Sequence, residues 1–214
     1  MKRCTTLSLL ALCLMLAAVP AIAQTVYSNG PINGNVDGWA INFGFIVSDT
    51  FNVSNNATTI TGLDFGAHVF PGDILLSVEL SITSGENSGT SFFDQTVNFT
   101  QSDCHVSEYG FNVCTESSSP FLGPTLNVGT YWLNLQNATT NTGDPAYWDE
   151  NSGPSQASEN TLGSIPSEAF TLLGSSSTTS TTTSTTTSVP EPTSILLLGS
   201  GVLGLGGLLR RRLF

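Results

Sequence analysis

Residues 24–188 hold 15 of the chain's 16 Asp and Glu residues, both of its histidines and two of its four cysteines, but no Lys or Arg. Acids in that number, with no side-chain cation to balance them, suit hard divalent ions that take oxygen ligands. Asp144, Asp149, Glu150 and Asn151 sit together in one loop-like stretch, and Asp37, Asp49, Asp64 and Asp73 fall near predicted strand ends. A calcium site built on Asp144, Asp149 and Glu150 is one reading. A solvated acidic surface is the other, because no EF-hand loop or metal-binding repeat is present. No other cofactor is implied.

Catalytic constellations are weak. Neither His68 nor His105 stands in a spacing such as H-E-x-x-H. No G-x-S-x-G elbow is present, and in so serine-rich a chain a chance Ser-His pairing is easily found. Glycoside hydrolysis needs two acids facing each other across a cleft. Asp149 and Glu150 form the only adjacent acidic pair, and neighbours along a strand point to opposite faces. No residue is assigned a catalytic role, and the chain reads as a non-enzyme. A secreted hydrolase is the least favoured alternative.

Aromatic chemistry offers more. Trp132, Tyr147 and Trp148 lie among Asn, Gln and Asp residues. Flat rings beside such polar groups suit sugar rings, so these three are candidate ligand-binding residues. The competing reading places them in the core, above all Tyr131 and one of the pair Tyr147 and Trp148. The stretch 138–164 reads as a long loop and as the candidate binding surface.

Cys104 and Cys114 are the cysteines left once Cys4 and Cys13 are removed with the N-terminal segment. An exported chain with one pair predicts a disulfide, with Glu108, Tyr109 and Gly110 as the turn between its arms. Metal ligation together with His105, or a free thiol, are the alternatives.

The elements that must position these residues are strands. Ile74, Leu76, Val78, Leu80 and Ile82 alternate with mainly polar neighbours, which predicts a half-buried strand. Similar but shorter patterns run over 39–47, 50–54, 58–65, 67–70, 92–100, 111–114, 131–136 and 168–173. Gly, Asn, Asp, Ser and Pro fill the gaps as turn formers. No window carries a clear helical period. The expectation is all-β: one antiparallel β-sandwich over residues 24–174, jelly-roll-like. Its net charge excludes nucleic acid and anionic lipid as partners.

The five basic residues bracket this body. Lys2 and Arg3 precede an apolar run and the small-x-small site Ala21, Ile22, Ala23, which makes residues 1–23 a signal peptide. Residues 175–188 are all Ser or Thr. Such a run buries nothing apolar and is expected to be a disordered stalk, either O-glycosylated or unmodified. Then come Pro190, Glu191 and Pro192, an uncharged apolar segment over 195–209, and Arg210, Arg211 and Arg212. Fifteen helical residues span roughly 22 Å, short of the roughly 30 Å hydrocarbon core. The arginines are topology determinants that stay cytoplasmic.

The order and spacing over 189–214 resemble the PEP-CTERM sorting signal of Gram-negative bacteria. The resemblance implies passage through the Sec translocon, transient insertion of the C-terminal helix in the inner membrane, and processing by an exosortase near Pro190, Glu191 and Pro192. It also implies delivery to the cell surface, outer membrane or extracellular matrix. The segments Gly129 to Asn137, Tyr147 to Asn151 and Ile165 to Phe170 are similar to ectodomains of other such proteins, a likeness that brings no known activity with it. The expectation is a structural or adhesive surface protein associated with exopolysaccharide and biofilm. A carbohydrate-binding module, calcium-assisted or built on an aromatic platform, is the alternative.

Overall fold

The computed structural model describes residues 23–34 and 37–176. The predicted signal peptide up to residue 22, the stalk beyond Ser176 and the whole sorting signal lie outside the described residues. So does the helix expected over 195–209. Among the described residues no helix is long and apolar enough to cross a membrane.

Among the described residues thirteen strands carry the fold: β1 (Gln24–Ser28), β2 (Gly38–Ala40), β3 (Ile46–Val53), β4 (Thr58–Val69), β5 (Leu75–Gly85), β6 (Ser88–Val106), β7 (Asn112–Ser118), β8 (Thr125–Leu126), β9 (Gly129–Thr140), β10 (Tyr147–Asp149), β11 (Ala157–Glu159), β12 (Gly163–Ile165) and β13 (Phe170–Ser176). The main ladder runs β1-β13-β4-β7-β6-β5-β9-β3-β11-β12. β10 adds to β4 and carries β2, and β8 adds to β4. The described residues are all-β, antiparallel and curled, as the period-2 patterning predicts.

β6 makes the sheet fold over on itself. Its first part pairs with β5 as far as Asn98, and from Phe99 onward it pairs with β7 instead. One strand therefore serves two layers and turns the corner between them. The edge strand β1 closes on the other layer where Tyr27 packs on Phe51 of β3, ring centroids 6.1 Å apart. Between the layers, Phe51, Phe65, Trp148, Phe170 and the aliphatic residues of β4, β5 and β9 form one apolar core. Burying each large apolar side chain contributes about 1.5–3 kcal/mol. With no Lys or Arg in the body, that burial and the backbone ladders carry its stability.

Several strand readings change. The strand expected over 39–47 is broken, with β2 ending at Ala40 and β3 beginning at Ile46. Val78, Leu80 and Ile82 are buried as expected, but Leu75 is buried while Ile74 and Leu76 are each 47% exposed. The β5–β9 register shifts between Leu75 and Ser77 and again before Glu79. A bulge adds a residue and turns the preceding side chains to the other face. The segments 58–65 and 67–70 form one strand. Gly66 does not break it but lets Asp149 lie close, since a Cβ at Gly66 would fall 2.7 Å from the Asp149 Cβ. The stretch 138–164 is not a long loop. It holds the end of β9, then β10 and β11 and the first two residues of β12, pieces too short to show a period.

At its C-terminal end β13 runs into the Ser/Thr tract. Ser175 and Ser176 pair with Thr59 and Thr58 of β4.

Candidate functional site

Trp132 follows the inward-facing pattern of β9 by one residue, so its indole stands on the outer face of the second layer while Leu133 enters the core. Beside it, β11, β12 and the 151–156 connection enclose a cleft of about 630 Å3. Trp132, Glu86, Asn151, Ser155, Gln156, Ser158, Ile165 and Ser167 are among its lining residues. Ser158 donates its hydroxyl to the Glu86 carboxylate, and the Gln156 N–H donates to Thr50 Oγ1 at 2.9 Å. The lining combines one indole, several hydroxyls, two amides and one carboxylate, with no side-chain cation.

The inner end of the cleft is held from behind. Asn29 donates its side-chain amide to Ser155 Oγ at 2.5 Å and to Ser167 Oγ at 2.6 Å, and lies 3.2 Å from Asp49 Oδ2. Asn151 donates back to the Asn29 carbonyl at 2.7 Å and caps the Gly153 N–H at 2.8 Å. Gly153 must lack a side chain, because a Cβ there would fall 2.3 Å from the Asn29 carbonyl oxygen. The polar floor is thus tied to the end of β1 and to Asp49 of β3, inside the sandwich.

Those interior acids are perturbed. Burial pushes Asp49 up to about 6, against hydrogen bonds from Ser155 and from the Glu168 and Thr50 backbone that pull it down. Burial first, then the negative charges of Asp49 and Glu150, hold Glu168 well above the usual carboxylate range. Burial and the Asp49 charge push the Tyr27 phenol up to about 12.

The sorting function lies elsewhere in the chain. Residues 188–212 match the PEP-CTERM protein-sorting motif. The chain carries a PEP-CTERM sorting signal. Pro190, Glu191, Pro192 and Arg210 to Arg212 all fall inside the match, and all lie outside the described residues. No curated protein matches the chain. The signal makes this an exosortase-targeted protein, exported through the cell envelope towards the surface.

Within the body of this PEP-CTERM protein the expected aromatic trio separates. Trp132 lines the cleft. Trp148 is fully buried, packs on Phe65 and Phe170, and donates its indole N–H to the Ala169 carbonyl at 3.0 Å. It cannot be a sugar platform, because alternation along β10 turns it into the core. Tyr147 stands on the opposite face of the same strand and lines a different, smaller pocket. Tyr131, expected in the core, is half-buried and stacks on Phe51 at 5.7 Å.

Asp144, Asp149 and Glu150 do not converge either. Asp144 is exposed. Asp149 is fully buried, accepts from His68 Nε2 at 2.8 Å and takes the N–H groups of Asn33 and Gly34 at 3.0 and 3.2 Å. Glu150 points the other way and accepts the Trp39 indole N–H at 3.0 Å. Among the described residues no group of three or more His, Cys, Asp or Glu is placed to hold a metal ion. Cys104 and Cys114 are joined as a disulfide between β6 and β7. His105 turns away to the Asn33 carbonyl at 3.4 Å, which removes the metal alternative at the cysteines.

Sequence reasoning missed the His68–Asp149 pair, which clamps the 29–34 segment over β4. It also missed the Asn29, Asp49, Ser155, Ser167 and Glu168 cluster. One signal was available: Asp49 lies at the period-2 positions of Val47, Phe51 and Val53, so it had to face inward with them.

Proposed function

We propose that the exported body is a structural and adhesive component of an exopolysaccharide or biofilm matrix, and that it grips a glycan through the Trp132 cleft. The observation that carries this reading is the cleft itself. An outward indole is set against hydroxyl, amide and carboxylate groups held by bonds from the interior. Sugar rings present C–H faces to such a ring and hydroxyls to such donors and acceptors. The aromatic platform is then a single tryptophan. Tyr147 and Trp148 take no part.

The reading is of a binding module, not a catalyst. The histidine that pairs with an acid, His68, opens onto a pocket lined by Asp37, Gly38, Tyr109, Phe111 and Tyr147, none of them a serine or cysteine. Calcium assistance is not needed by this cleft, whose floor is cross-linked by its own hydrogen bonds.

The test is affinity electrophoresis of the purified exported protein through gels containing matrix polysaccharides from its own cells. Retardation in at least one polysaccharide, lost in Trp132→Ala and kept in Tyr147→Phe, is the expected result. Equal mobility with and without every polysaccharide sinks the proposal.

A further inference from the structure

The outer face of the first layer carries a second pocket, of about 210 Å3, that shares no residue with the cleft. It is smaller than the roughly 300 Å3 at which drug-sized sites begin, so its ligand is small. Tyr147 lies opposite His68 in the β10–β4 register, so both stand on the face away from Trp148. Phe111 is edge-on to both, its centroid 5.7 Å from Tyr147 and 6.4 Å from His68, and Phe70 backs it at 4.9 Å. Gly38 keeps the base open. A Cβ there would fall 3.1 Å from the Tyr147 Cβ and 3.2 Å from His68 Cδ2. Tyr109, 63% exposed, and the exposed carboxylate of Asp37 stand at the mouth.

The charge of this pocket is one-sided. Glu108 and then Asp37 raise the Tyr109 phenol by their negative charge. No Lys or Arg exists in residues 24–188 to answer them. Aromatic faces attract a cation within about 6 Å of the ring centroid, and more strongly when it is desolvated. Half-buried aromatic walls with a rim carboxylate therefore select a ligand that is apolar on its flanks and positive at its centre. We propose that this pocket binds a small organic ammonium ion, a primary or methylated amine, with its carbon skirt against Phe111 and Tyr147 and its charge towards Asp37.

Choline and its uncharged isostere 3,3-dimethyl-1-butanol test this directly, by calorimetric titration of the purified exported protein. The two have the same shape, so the difference between them reads the charge alone. Choline should bind about tenfold more tightly than the isostere. Asp37→Asn, at an exposed position, should weaken choline and leave the isostere unchanged. Phe111→Leu should weaken both. Phosphatidylcholine vesicles form a second arm. Binding to them as well as to free choline assigns the amine to a surface headgroup, and binding to free choline alone assigns a soluble amine. Equal affinity for choline and the isostere, or no choline binding in either arm, overturns the proposal.

Discussion

Glu150 and Glu168 face each other across an antiparallel bridge, and both are buried. The flanking bonds run from Asn151 N–H to the Ser167 carbonyl and from Ala169 N–H to the Asp149 carbonyl, each 2.7 Å. That pattern makes Glu150 and Glu168 a non-hydrogen-bonded pair, the kind that brings opposing Cα atoms to about 4.5 Å. Like charges so placed repel. Only Glu150 is answered, by the Trp39 indole. Among the described residues both carboxyl oxygens of Glu168 lack a hydrogen-bond partner.

Glu168 should keep its proton to higher pH than an ordinary carboxyl, since burial and its acidic neighbours raise it well above the ordinary range. Infrared spectra should show the carbonyl band of a protonated carboxyl that disappears in Glu168→Gln. That variant keeps the shape of the neutral acid and should fold normally. A band of the same size in Glu168→Gln would show that Glu168 is ionised and that the proton resides elsewhere.

Glu116 gives the body a pH-dependent stability of definite sign. It is buried in β7, neither carboxyl oxygen has a hydrogen-bond partner among the described residues, and burial pushes it up to about 8. The ordinary value is 4.5, so the folded state binds the proton more tightly than the unfolded chain. Its contribution is fully present below the unfolded value and is lost as pH rises through about 8. Asp49, raised from 3.8 to about 6, acts with the same sign in a lower window. Thermal unfolding should therefore show a higher midpoint near about pH 5 than near about pH 9. Glu116→Gln should flatten the alkaline part of that profile. A midpoint that rises from acid to alkaline would contradict the assignment.

These acids also mark the limit of what the sequence made legible. The all-β class followed from period 2, and the disulfide from a lone cysteine pair in an exported chain. Both needed only local pattern or composition. The cleft could not be read the same way. Trp132 comes from β9, Glu86 from the β5–β6 turn, and Ser158 and Ser164 from strands of three residues. Their meeting depends on β3 pairing with both β9 and β11, a long-range fact with no local signature. Trp148 misled for a related reason. Tyr147 and Trp148 are equivalent in composition, and only the register of β10 on β4 decides which one enters the core.

The disulfide spans a sequence separation of 10 and joins two paired strands where β6 loses register between Ser102 and His105. A loop that short stabilises by about 2–3 kcal/mol, chiefly by restricting the unfolded chain. Cys104 is exposed and Cys114 fully buried, so reductant can reach the bond from one side only. Urea unfolding with and without reductant should show the midpoint falling on reduction, and Cys104→Ser should show the same fall. An unchanged midpoint would mean that the ladder around Ser102 holds without the bridge.

Processing of the tail can be tested apart from the body. The sorting motif spans residues 188–212 and β13 ends at Ser176, so a substitution at Glu191 changes no residue of a described strand. Glu191→Ala should leave export and folding of the body intact while abolishing cleavage. The precursor should then accumulate in the membrane fraction with its arginines still attached. Wild-type protein from the same cells should end near Pro190, Glu191 and Pro192 by intact mass, and hexose-sized increments on it would mark the Ser/Thr stalk as glycosylated. Replacing Arg210, Arg211 and Arg212 together should reduce correct membrane orientation of the precursor, as expected of topology determinants. Protease accessibility from the two sides of the membrane separates that outcome from the Glu191 effect. Wild-type levels of mature, surface-delivered protein from Glu191→Ala would show that this glutamate is not read by the processing enzyme.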